Sequence, residues 1–435
     1  MFEIDRTCVL ARRILRQTVQ AFGVLGLGLL WSAAVVAGVE PFTLAEAVEL
    51  AVRHSPDVKA REATVGSAEA MLVPAGQLPD PELVVGVDNL PASGSQAGSF
   101  TDDFMTMRKI GIMQSFPRAA KRSLRSQRAA DLLRVARTDA ESSTLDVQRQ
   151  AAQAWIAAYA TQQSLQRLQS LQPNWELQAR ISRSAVASGR LSASEATGAQ
   201  SALLEFRDRL RLAEQMQHNA RLELARWVPG DADRVLAAMP SLDDLPAAEI
   251  LTNVHQHASL RAFDAQLDAA RTEVALAQAE RKPDWSVELD YAKRGPAFSD
   301  MVSLEFRVGL PLFAGSRQNP VIAAKLAEVR KVEAGREAEL RMHRMEISQR
   351  TAEWQSLKDR RASYTRELLP LARERSRLSL AALQAGQSGI KPVLDAQAAE
   401  VETELKAIEL LGQLGNAWSF LKFQQDLNQT PGVTP

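Results

Sequence analysis

An internal duplication constrains this chain more than any other feature of its sequence. Residues 173–200 and residues 370–397 each begin with proline, contain a glycine 16 positions later and end in Ala-Gln. Upstream, the segment 58–60 corresponds to the segment 260–262. Such self-similarity indicates one structural unit that occurs twice. Each copy has the pattern of a helix, two strands and a long helical hairpin, so the function has to use that shape.

The N-terminus has the pattern of an export signal. A basic region with Arg12, Arg13 and Arg16 precedes the apolar stretch 19–36, and two small residues follow it. We therefore predict that residues 1–38 are a signal peptide. A retained membrane anchor is the alternative, although the apolar stretch is short for one.

Composition argues against several classes of function. Lys and Arg total 52, and Asp and Glu also total 52, so the chain lacks the basic excess typical of nucleic-acid binders. The only cysteine, Cys8, lies before the apolar stretch, so we expect no disulfide in the exported protein. No phosphate-binding loop, nucleophile elbow or zinc-binding helix occurs, and we predict neither an enzyme nor a cofactor.

Helical periodicity covers most of the remaining chain. Residues 43–73 form the first predicted helix, with Thr43 and Glu46 as a capping box. Residues 118–188 are predicted to continue as a helix roughly 105 Å long, at 1.5 Å per residue. Only Pro173 interrupts this stretch, and an interior proline bends a helix. No ordinary globular domain accommodates a rod of that length.

Four short segments alternate apolar and polar residues, as β-strands do. They span 82–89, 104–116, 284–293 and 302–310. Each is about ten residues long, which is the length that a tilted strand needs to cross the hydrocarbon of a membrane. Taken alone, these segments fit a half-buried soluble sheet equally well.

Charged residues on one face of these strands favour a membrane location with a wet interior. Glu288, Asp290 and Arg307 would be costly facing lipid and acceptable facing water. Four strands cannot close a barrel, and an open sheet edge is not tolerated in lipid. Three chains supply twelve strands, enough for a closed barrel with room for a channel. The sequence thus predicts a mainly α protein with a small β part and a trimeric assembly.

At this point the chain resembles the TolC-like outer-membrane efflux proteins. The resemblance rests on the duplication, the two predicted strand hairpins and a repeated motif at the tips of the helical hairpins. The tips are Ala187-Ser188-Gly189-Arg190-Leu191-Ser192 and Ala385-Gly386-Gln387-Ser388-Gly389-Ile390. The segment from Leu78-Pro79-Asp80-Pro81 through Asp88-Asn89-Leu90-Pro91 is most similar to the heavy-metal branch, which serves cation-exporting resistance–nodulation–division pumps.

The resemblance implies a homotrimer with a twelve-stranded barrel in outer-membrane lipid and an α-helical tunnel through the periplasm. The tunnel would dock onto a periplasmic adaptor and an inner-membrane pump, and the protein would perform no chemistry. The implied units are residues 39–246 for the first repeat and 247–425 for the second, followed by a flexible tail at 426–435. Heavy-metal cations are the implied cargo, and drugs or other small molecules are the alternative.

The tip residues have a structural and a functional interpretation. Gly189 and Gly386 are predicted to supply left-handed turns, and Ser192 with Glu195 a capping box for the returning helix. The resemblance implies in addition that the tips contact the adaptor. The implied contact residues are Gly189, Leu191, Ser192, Gly386, Gln387, Ser388 and Gly389.

Asp395 matches a family position where acidic residues from three subunits surround the closed end of the tunnel. Three carboxylates in a narrow pore would attract cations and repel one another. The family often carries a second acid one turn earlier, where this chain has Pro392. A solvated aspartate on a helix face is the alternative.

Three further groups are weaker candidates. A basic stripe after the second strand could face lipid headgroups, line the duct or form a solvated face; it comprises Arg118, Lys121, Arg122, Arg125 and Arg128. His255 and His257 point to opposite sides of a helix, so we predict no shared metal ion. Met105 and Met107 would share a strand face, where packing is a commoner role than cation contact.

Two other classes of protein share parts of this pattern. A periplasmic adaptor would also have a signal and a helical hairpin, but with one hairpin instead of two. A coiled-coil scaffold would have the long helices without a membrane role. The duplicated strand hairpins favour the channel over both.

Overall fold

The computed structural model describes residues 40–243, 245 and 257–424. The predicted signal peptide 1–38, the predicted tail 426–435 and His255 lie outside these described residues. Nothing in the fold therefore bears on those three predictions.

The described elements follow the same order in each half of the chain. The first half has α1 (Leu44–His54), α2 (Pro56–Ala70), α3 (Leu72–Ala75), β1 (Glu82–Asp88), β2 (Met107–Phe116), α4 (Ala119–Ala187) and α5 (Ala193–Trp227). The second has α6 (Ala258–Ala279), β3 (Trp285–Lys293), β4 (Met301–Val308), α7 (Gln318–Ser363), a π-helical turn (Tyr364–Leu368), α8 (Leu369–Gln384) and α9 (Lys391–Lys422). The predicted order of helix, two strands and helical hairpin is confirmed in both halves, whereas the exact repeat boundaries stay a prediction.

The prediction of one continuous helix over 43–73 is wrong, because the helix is divided at Ser55 and again at Met71. Ser55 has extended backbone angles, and its Oγ accepts a hydrogen bond from the Val58 N–H at 3.3 Å. Pro56 then occupies the first turn of α2, where its missing N–H costs nothing. At the start of α1, the Thr43 hydroxyl caps Glu46 N–H as predicted, but the Glu46 carboxylate pairs with Arg234 at 2.6 Å.

The two prolines of the duplicated block have different consequences. Helix α4 continues through Pro173 for 69 residues, which corresponds to about 104 Å at 1.5 Å per residue. In the second copy, the π-helical turn ends two residues before Pro370. A proline lacks the N–H that would bond to the preceding turn, and its ring crowds that turn. The wider π-helical turn before Pro370 relieves this crowding and interrupts the regular α-helix there.

One antiparallel sheet contains all four described strands in the order β1-β2-β3-β4. β2 pairs with β3, so the hairpins of the two repeats form a continuous surface. β2 begins at Met107 instead of position 104, because the Asp103 carboxylate accepts the N–H groups of Met105 and Thr106. Such a local side-chain bond turns the chain before a strand can start. Met105 consequently lies outside the strand, and the prediction that it shares a strand face with Met107 is wrong.

The main core lies midway along the helices. Trp155 and Ile156 of α4 are fully buried there against Leu410 and Leu421 of α9. The Trp155 indole N–H donates to the carbonyl of Phe42 at 3.1 Å. Phe42 also pairs with Leu236 in the segment after α5, so the beginning and the end of the first repeat meet at this level. Among the helices that the structure describes, none combines the length and the apolar content that crossing a membrane requires.

Candidate functional site: sheet faces and helical tips

One face of the sheet is predominantly apolar and exposed. Across its middle, Leu83, Ile112, Leu289 and Leu304 form one row of register partners, one from each strand. The adjacent row has the same character, and the exposed members of this face are Leu83, Val85, Val87, Ile110, Ile112, Trp285, Leu289, Tyr291, Val302, Leu304, Phe306 and Val308. Val302 is 72% exposed and Leu304 60%. Monomeric soluble proteins rarely leave so large an apolar patch open, so this face requires a nonaqueous environment or a partner.

The opposite face is charged and partly enclosed. Glu288 and Asp290 are buried, as the sequence alternation predicts for residues facing away from lipid. Lys109 Nζ lies 3.4 Å from Asp88 and 3.6 Å from Glu288. Arg307 pairs with both Glu288 and Glu305. The ion pairs of Lys109 and Arg307 thus involve Asp88, Glu288 and Glu305, on a face that can tolerate water.

Gly111 explains why the alternation of β2 is blurred. It is the register partner of Asp290, and a Cβ at this position would lie 1.9 Å from the Asp290 Oδ1. Real Cβ atoms do not approach an oxygen so closely, so the buried aspartate requires a residue without a side chain. Gly111 therefore weakens the strand pattern and at the same time leaves the space that the buried Asp290 carboxylate occupies on this face.

Both ends of the sheet are open within the described part of the chain. β1 pairs only with β2, and β4 only with β3. Each edge therefore presents a row of backbone N–H and C=O groups that no described strand satisfies. Such edges are sites for pairing with another chain.

The two helical tips have the same turn. After α4, the N–H of Arg190 donates to the Ala185 carbonyl, and the N–H of Gly189 donates to the Val186 carbonyl, both at 2.9 Å. The equivalent bonds occur after α8, 197 residues later, at Gln387 and Gly386. These are Schellman motifs, and they need a left-handed residue. Gly189 and Gly386 supply it with φ of 69° and 70°, as the sequence predicts.

The tips differ in how the returning helix is capped. At α5 the predicted capping box is complete: Ser192 Oγ accepts from the Glu195 N–H at 3.2 Å, and the Glu195 carboxylate accepts from the Ser192 N–H at 2.9 Å. This second bond is the main reason why the pKa of Glu195 lies below its usual range. At α9 the N-cap residue is Ile390, which makes no side-chain bond.

Glu195 joins the two tips. A Cβ on Gly389 would lie 2.7 Å from the Glu195 Oε1, and the Ile390 N–H also faces this carboxylate and helps to lower its pKa. Gly389 occupies the place equivalent to Ser192 in the second copy. The second tip thus lacks its own cap, and the acidic residue of the first tip lies over it.

The predicted contact residues fall into two groups. Gly189, Ser192, Gly386 and Gln387 are exposed at the ends of the hairpins. Leu191, Ser388 and Gly389 are half-buried. Gly389 is covered because Glu195 lies against it. The structure therefore brings all seven residues to one end of the chain, with the first group directly accessible.

Asp395 lies close to these tips on α9. Its carboxylate accepts a bond from Lys391 Nζ at 2.8 Å, one turn earlier on the same helix. Asp395 also borders a cavity of about 90 Å³ next to the stacked rings of Trp175 and Phe206. Both charged side chains of the pair are more than half exposed. The lysine partner was not predicted, and it reduces the charge that Asp395 presents.

The basic stripe after β2 has partners within the chain. Lys121 is buried, with its Nζ 3.0 Å from Glu280 and 2.8 Å from Asp284. Arg128 pairs with Glu273, which also accepts a bond from Lys325. These cations hold α4 against α6 and the start of β3, so a solvated face and lipid contact are both wrong for Lys121. Its partners lie about 160 positions away, where sequence spacing gives no signal.

A buried ion cluster on the helical hairpins was missed. Glu404 of α9 is buried and accepts bonds from Arg167 at 2.9 Å and from Arg373 at 2.7 Å. In the first copy, Glu176 pairs with Arg207 at 2.9 Å. Positions 176 and 373 are equivalent, as are 207 and 404, so the two copies carry the same pair with its charges reversed. Comparing the copies position by position would have found it.

His257 does not pair with a neighbour on its own helix. It is the N-cap residue of α6, and its ring contacts that of His343 on α7, with 4.2 Å between the ring centroids. Burial, followed by the proximity of His343, lowers the pKa of His257 to about 4. Burial also lowers the pKa of His343. Both rings are consequently neutral at pH 7.

The chain was compared with known families and structures. Residues 254–423 match the family model described as outer membrane efflux protein. A comparison with curated protein sequences found no match.

Several solved structures share the fold over most of the chain. The crystal structure of CusC, whose title refers to transmembrane channel formation, has a TM-score of 0.74 and 15% identity, and the alignment covers 89% of this chain and 93% of CusC. A membrane protein from Pseudomonas aeruginosa gives 0.76 and 15%, covering 88% and 92%. The open state of the Neisseria gonorrhoeae MtrE outer membrane channel gives 0.74 and 14%, covering 88% of both chains.

The sheet with its apolar face, the long helices and the paired tips define the fold of a TolC-like outer-membrane channel. Residues 254–423 are thus similar to the outer membrane efflux protein family, and the chain as a whole shares the fold of these solved channels.

The role of Glu195 in joining the tips gives a testable prediction. In a Glu195→Ala variant, we expect the amides of Ser192 and Ile390 to exchange hydrogen several-fold faster, because both lose the same acceptor. Hydrogen exchange followed by mass spectrometry measures this. Because the pKa of Glu195 is lowered on folding, its contribution is complete above the usual carboxyl pKa and is lost as the pH falls through the lower folded value.

The control is Thr197→Ala, which removes a hydroxyl bond within the same helix turn and leaves Glu195 in place. Faster exchange at Ser192 alone would show that Glu195 serves only the first tip.

Proposed function

We propose that three copies of this chain form an outer-membrane duct of a tripartite efflux system that exports heavy-metal cations. The observation that carries the proposal is the open four-stranded sheet, apolar on one face, charged on the other and unpaired at both edges. A sheet of this kind has no stable environment as a single copy.

The number of copies follows from closure. In lipid, every backbone N–H and C=O must be bonded within the protein, so β1 of one copy must pair with β4 of the next. Two copies would give eight strands, which leave an interior that side chains fill. Three copies give twelve strands and space for a water path. The charged inner face, with Lys109, Glu288 and Asp290, suits such a lumen.

The length of the helices supports contact with partners in the periplasm and at the inner membrane. Helix α4 alone spans about 104 Å, far more than the sheet needs for support. A rod of this length at the inner side of the outer membrane reaches across the periplasm. We propose that it ends on a periplasmic adaptor and, through it, on an inner-membrane pump.

The tips are the proposed adaptor contacts. Gly189, Ser192, Gly386 and Gln387 are exposed at the far end from the sheet, and they are small or polar. The left-handed turns present backbone as well as side chains to a partner. The half-buried residues of the tips would support these contacts from below the surface; they are Leu191, Ser388 and Gly389.

Asp395 is the proposed aperture residue. It lies near the tips, on the side of α9 that carries Lys391. In a threefold ring its carboxylates would converge and favour cations over anions. The adjacent Lys391 opposes that preference, so this chain would have a weaker acidic ring than one with an unpaired aspartate.

Two observations support cations as the cargo. In the described strands, the inner face of the sheet carries the five acidic residues Glu82, Asp88, Glu288, Asp290 and Glu305 against the two basic residues Lys109 and Arg307. The segment 78–91 has the sequence features of the heavy-metal branch. A duct lined with an excess of carboxylates raises the local concentration of cations.

The membrane assignment predicts opposite effects for two adjacent residues of β4. Leu304→Lys places a charge on the apolar face, where it costs about 2–4 kcal/mol near the middle of a bilayer. We expect this variant to lose assembly in the outer membrane. Ser303→Lys places the same charge on the inner face and should assemble normally. Membrane fractionation and native gels measure both, and equal recovery of both variants in the membrane would contradict the proposed orientation.

The aperture proposal predicts the ion selectivity of the channel. Asp395→Asn should reduce the preference for cations, because it removes one negative charge per chain at the constriction. Lys391→Ala should increase it, because the aspartate then lacks its neutralising partner. Reversal potentials across a planar bilayer under a salt gradient report the selectivity. If neither variant changes the reversal potential, Asp395 lies outside the constriction.

The cargo is tested by deleting the gene in its host bacterium. We expect tolerance to zinc, cobalt, cadmium, copper or silver to fall, and tolerance to dyes and detergents to remain. The wild-type gene should restore tolerance, and the Leu304→Lys variant should not. Lost tolerance to dyes and detergents beside unchanged metal tolerance would refute the metal cargo and leave the duct intact.

A further inference from the structure

Two buried histidines lie in a part of the chain that the proposed duct does not use. His257, at the start of α6, is 1% exposed, and His343, within α7, is 6% exposed. Both nitrogens of His257 and the Nε2 of His343 are buried without a hydrogen-bond partner among the described residues. Oxygen atoms of Gln424 lie near the His257 ring without reaching hydrogen-bond geometry. Buried polar atoms are almost always bonded, so three orphaned nitrogens in one place require an explanation.

The two rings border a cavity that carboxylates also reach. Its volume is about 190 Å³, and its lining includes His257, His343, Glu339 and Glu346. On α7, Glu339 precedes His343 by four positions and Glu346 follows it by three, so the three side chains share one helix face. Neither glutamate forms an ion pair with a residue in the described part of the chain. Both are close enough to act on the charge of His343.

We infer that His257 and His343, with Glu339 or Glu346, form a binding site for a divalent transition-metal ion such as Zn²⁺. Neutral imidazole nitrogens and carboxylate oxygens are the ligands that zinc takes in proteins, at about 2.0–2.2 Å. A water molecule could satisfy one nitrogen, but the concentration of three unbonded nitrogens and two unpaired carboxylates at a single cavity fits a cation better.

The site is not preformed. Among the described residues, no three histidine, cysteine or acidic side chains already converge on one point. At present the two rings touch edge to face, with an interplanar angle of 67°. Binding requires the rings to separate and turn toward the cavity that they border.

The site would link two elements of the second repeat. His257 caps α6 and His343 lies midway along α7, so a bound ion would hold the start of one helix against the other. This is a resident site and is separate from cargo transport. A conduit gains nothing from holding its cargo tightly. A structural ion that connects two helices, in contrast, stabilises them only if it is bound tightly.

Zinc binding to the purified full-length protein tests the inference. The protein is prepared in detergent without an affinity tag and stripped of metal, and a chromophoric chelator then competes for Zn²⁺. We expect one high-affinity ion per chain. His257→Gln and His343→Gln should each weaken binding at least about tenfold, the usual effect of losing one ligand contact. His218→Gln is the matched control, because this histidine is exposed on α5, and it should bind as the wild type does.

Thermal unfolding provides a second measurement. A ligand that binds only the folded state stabilises it, so Zn²⁺ should raise the Tm of the wild type and of His218→Gln but not of His343→Gln. If a histidine variant fails to assemble, the double variant Glu339→Gln with Glu346→Gln carries the test, and we expect weaker binding there. Unchanged affinity in the histidine variants, or in that double variant, would overturn the site. Because no pump takes part, failure here would leave the proposed efflux function untouched.

Discussion

The unsatisfied backbone at the two edges of the sheet is the constraint on which the rest of the structure depends. A peptide group that loses water without gaining a partner costs several kcal/mol in hydrocarbon. β1 and β4 each present a row of such groups, and the face between them is apolar. Neighbouring copies can satisfy both edges at once, and in doing so they bring the long helices side by side. In the proposed assembly, closure of the sheet would therefore determine the geometry of the helices below it.

The charged inner face imposes a second constraint, because its carboxylates need a polar environment. A chain that places Glu288 and Asp290 under a lipid-facing sheet needs water or cations on the other side. Gly111 shows how closely the sequence is adapted to this, because any side chain there would collide with Asp290. The pairs formed by Lys109 and Arg307 stabilise the face without neutralising it. The same arrangement that makes the sheet unstable in isolation gives it a hydrophilic interior.

The sequence predicted what is local or periodic. Strand alternation, the length of α4 and the turns at Gly189 and Gly386 follow from rules that act over a few residues, and all are present. It failed where distant segments meet. The partners of Lys121 and of His343 come from other helices, and no spacing rule connects them. The break at Ser55 was a different failure, because the Ser-Pro pair was available and its capping role was overlooked.

The two copies differ in their helix caps and ion pairs at equivalent positions, although their overall pattern is the same. Both tips have the same Schellman turn, yet only the first has a capping box, and Glu195 lies over the second at Gly389. The pair Glu176–Arg207 becomes Arg373 and Glu404 in the second copy, with a further bond from Arg167 of the first. Arg128 and Lys325, at equivalent positions, share Glu273. In each case a side chain of the first copy contacts a residue of the second, so the repeats have become parts of a single unit. A ring of such chains would therefore contain two kinds of hairpin, and a partner at the tips would meet them in alternation.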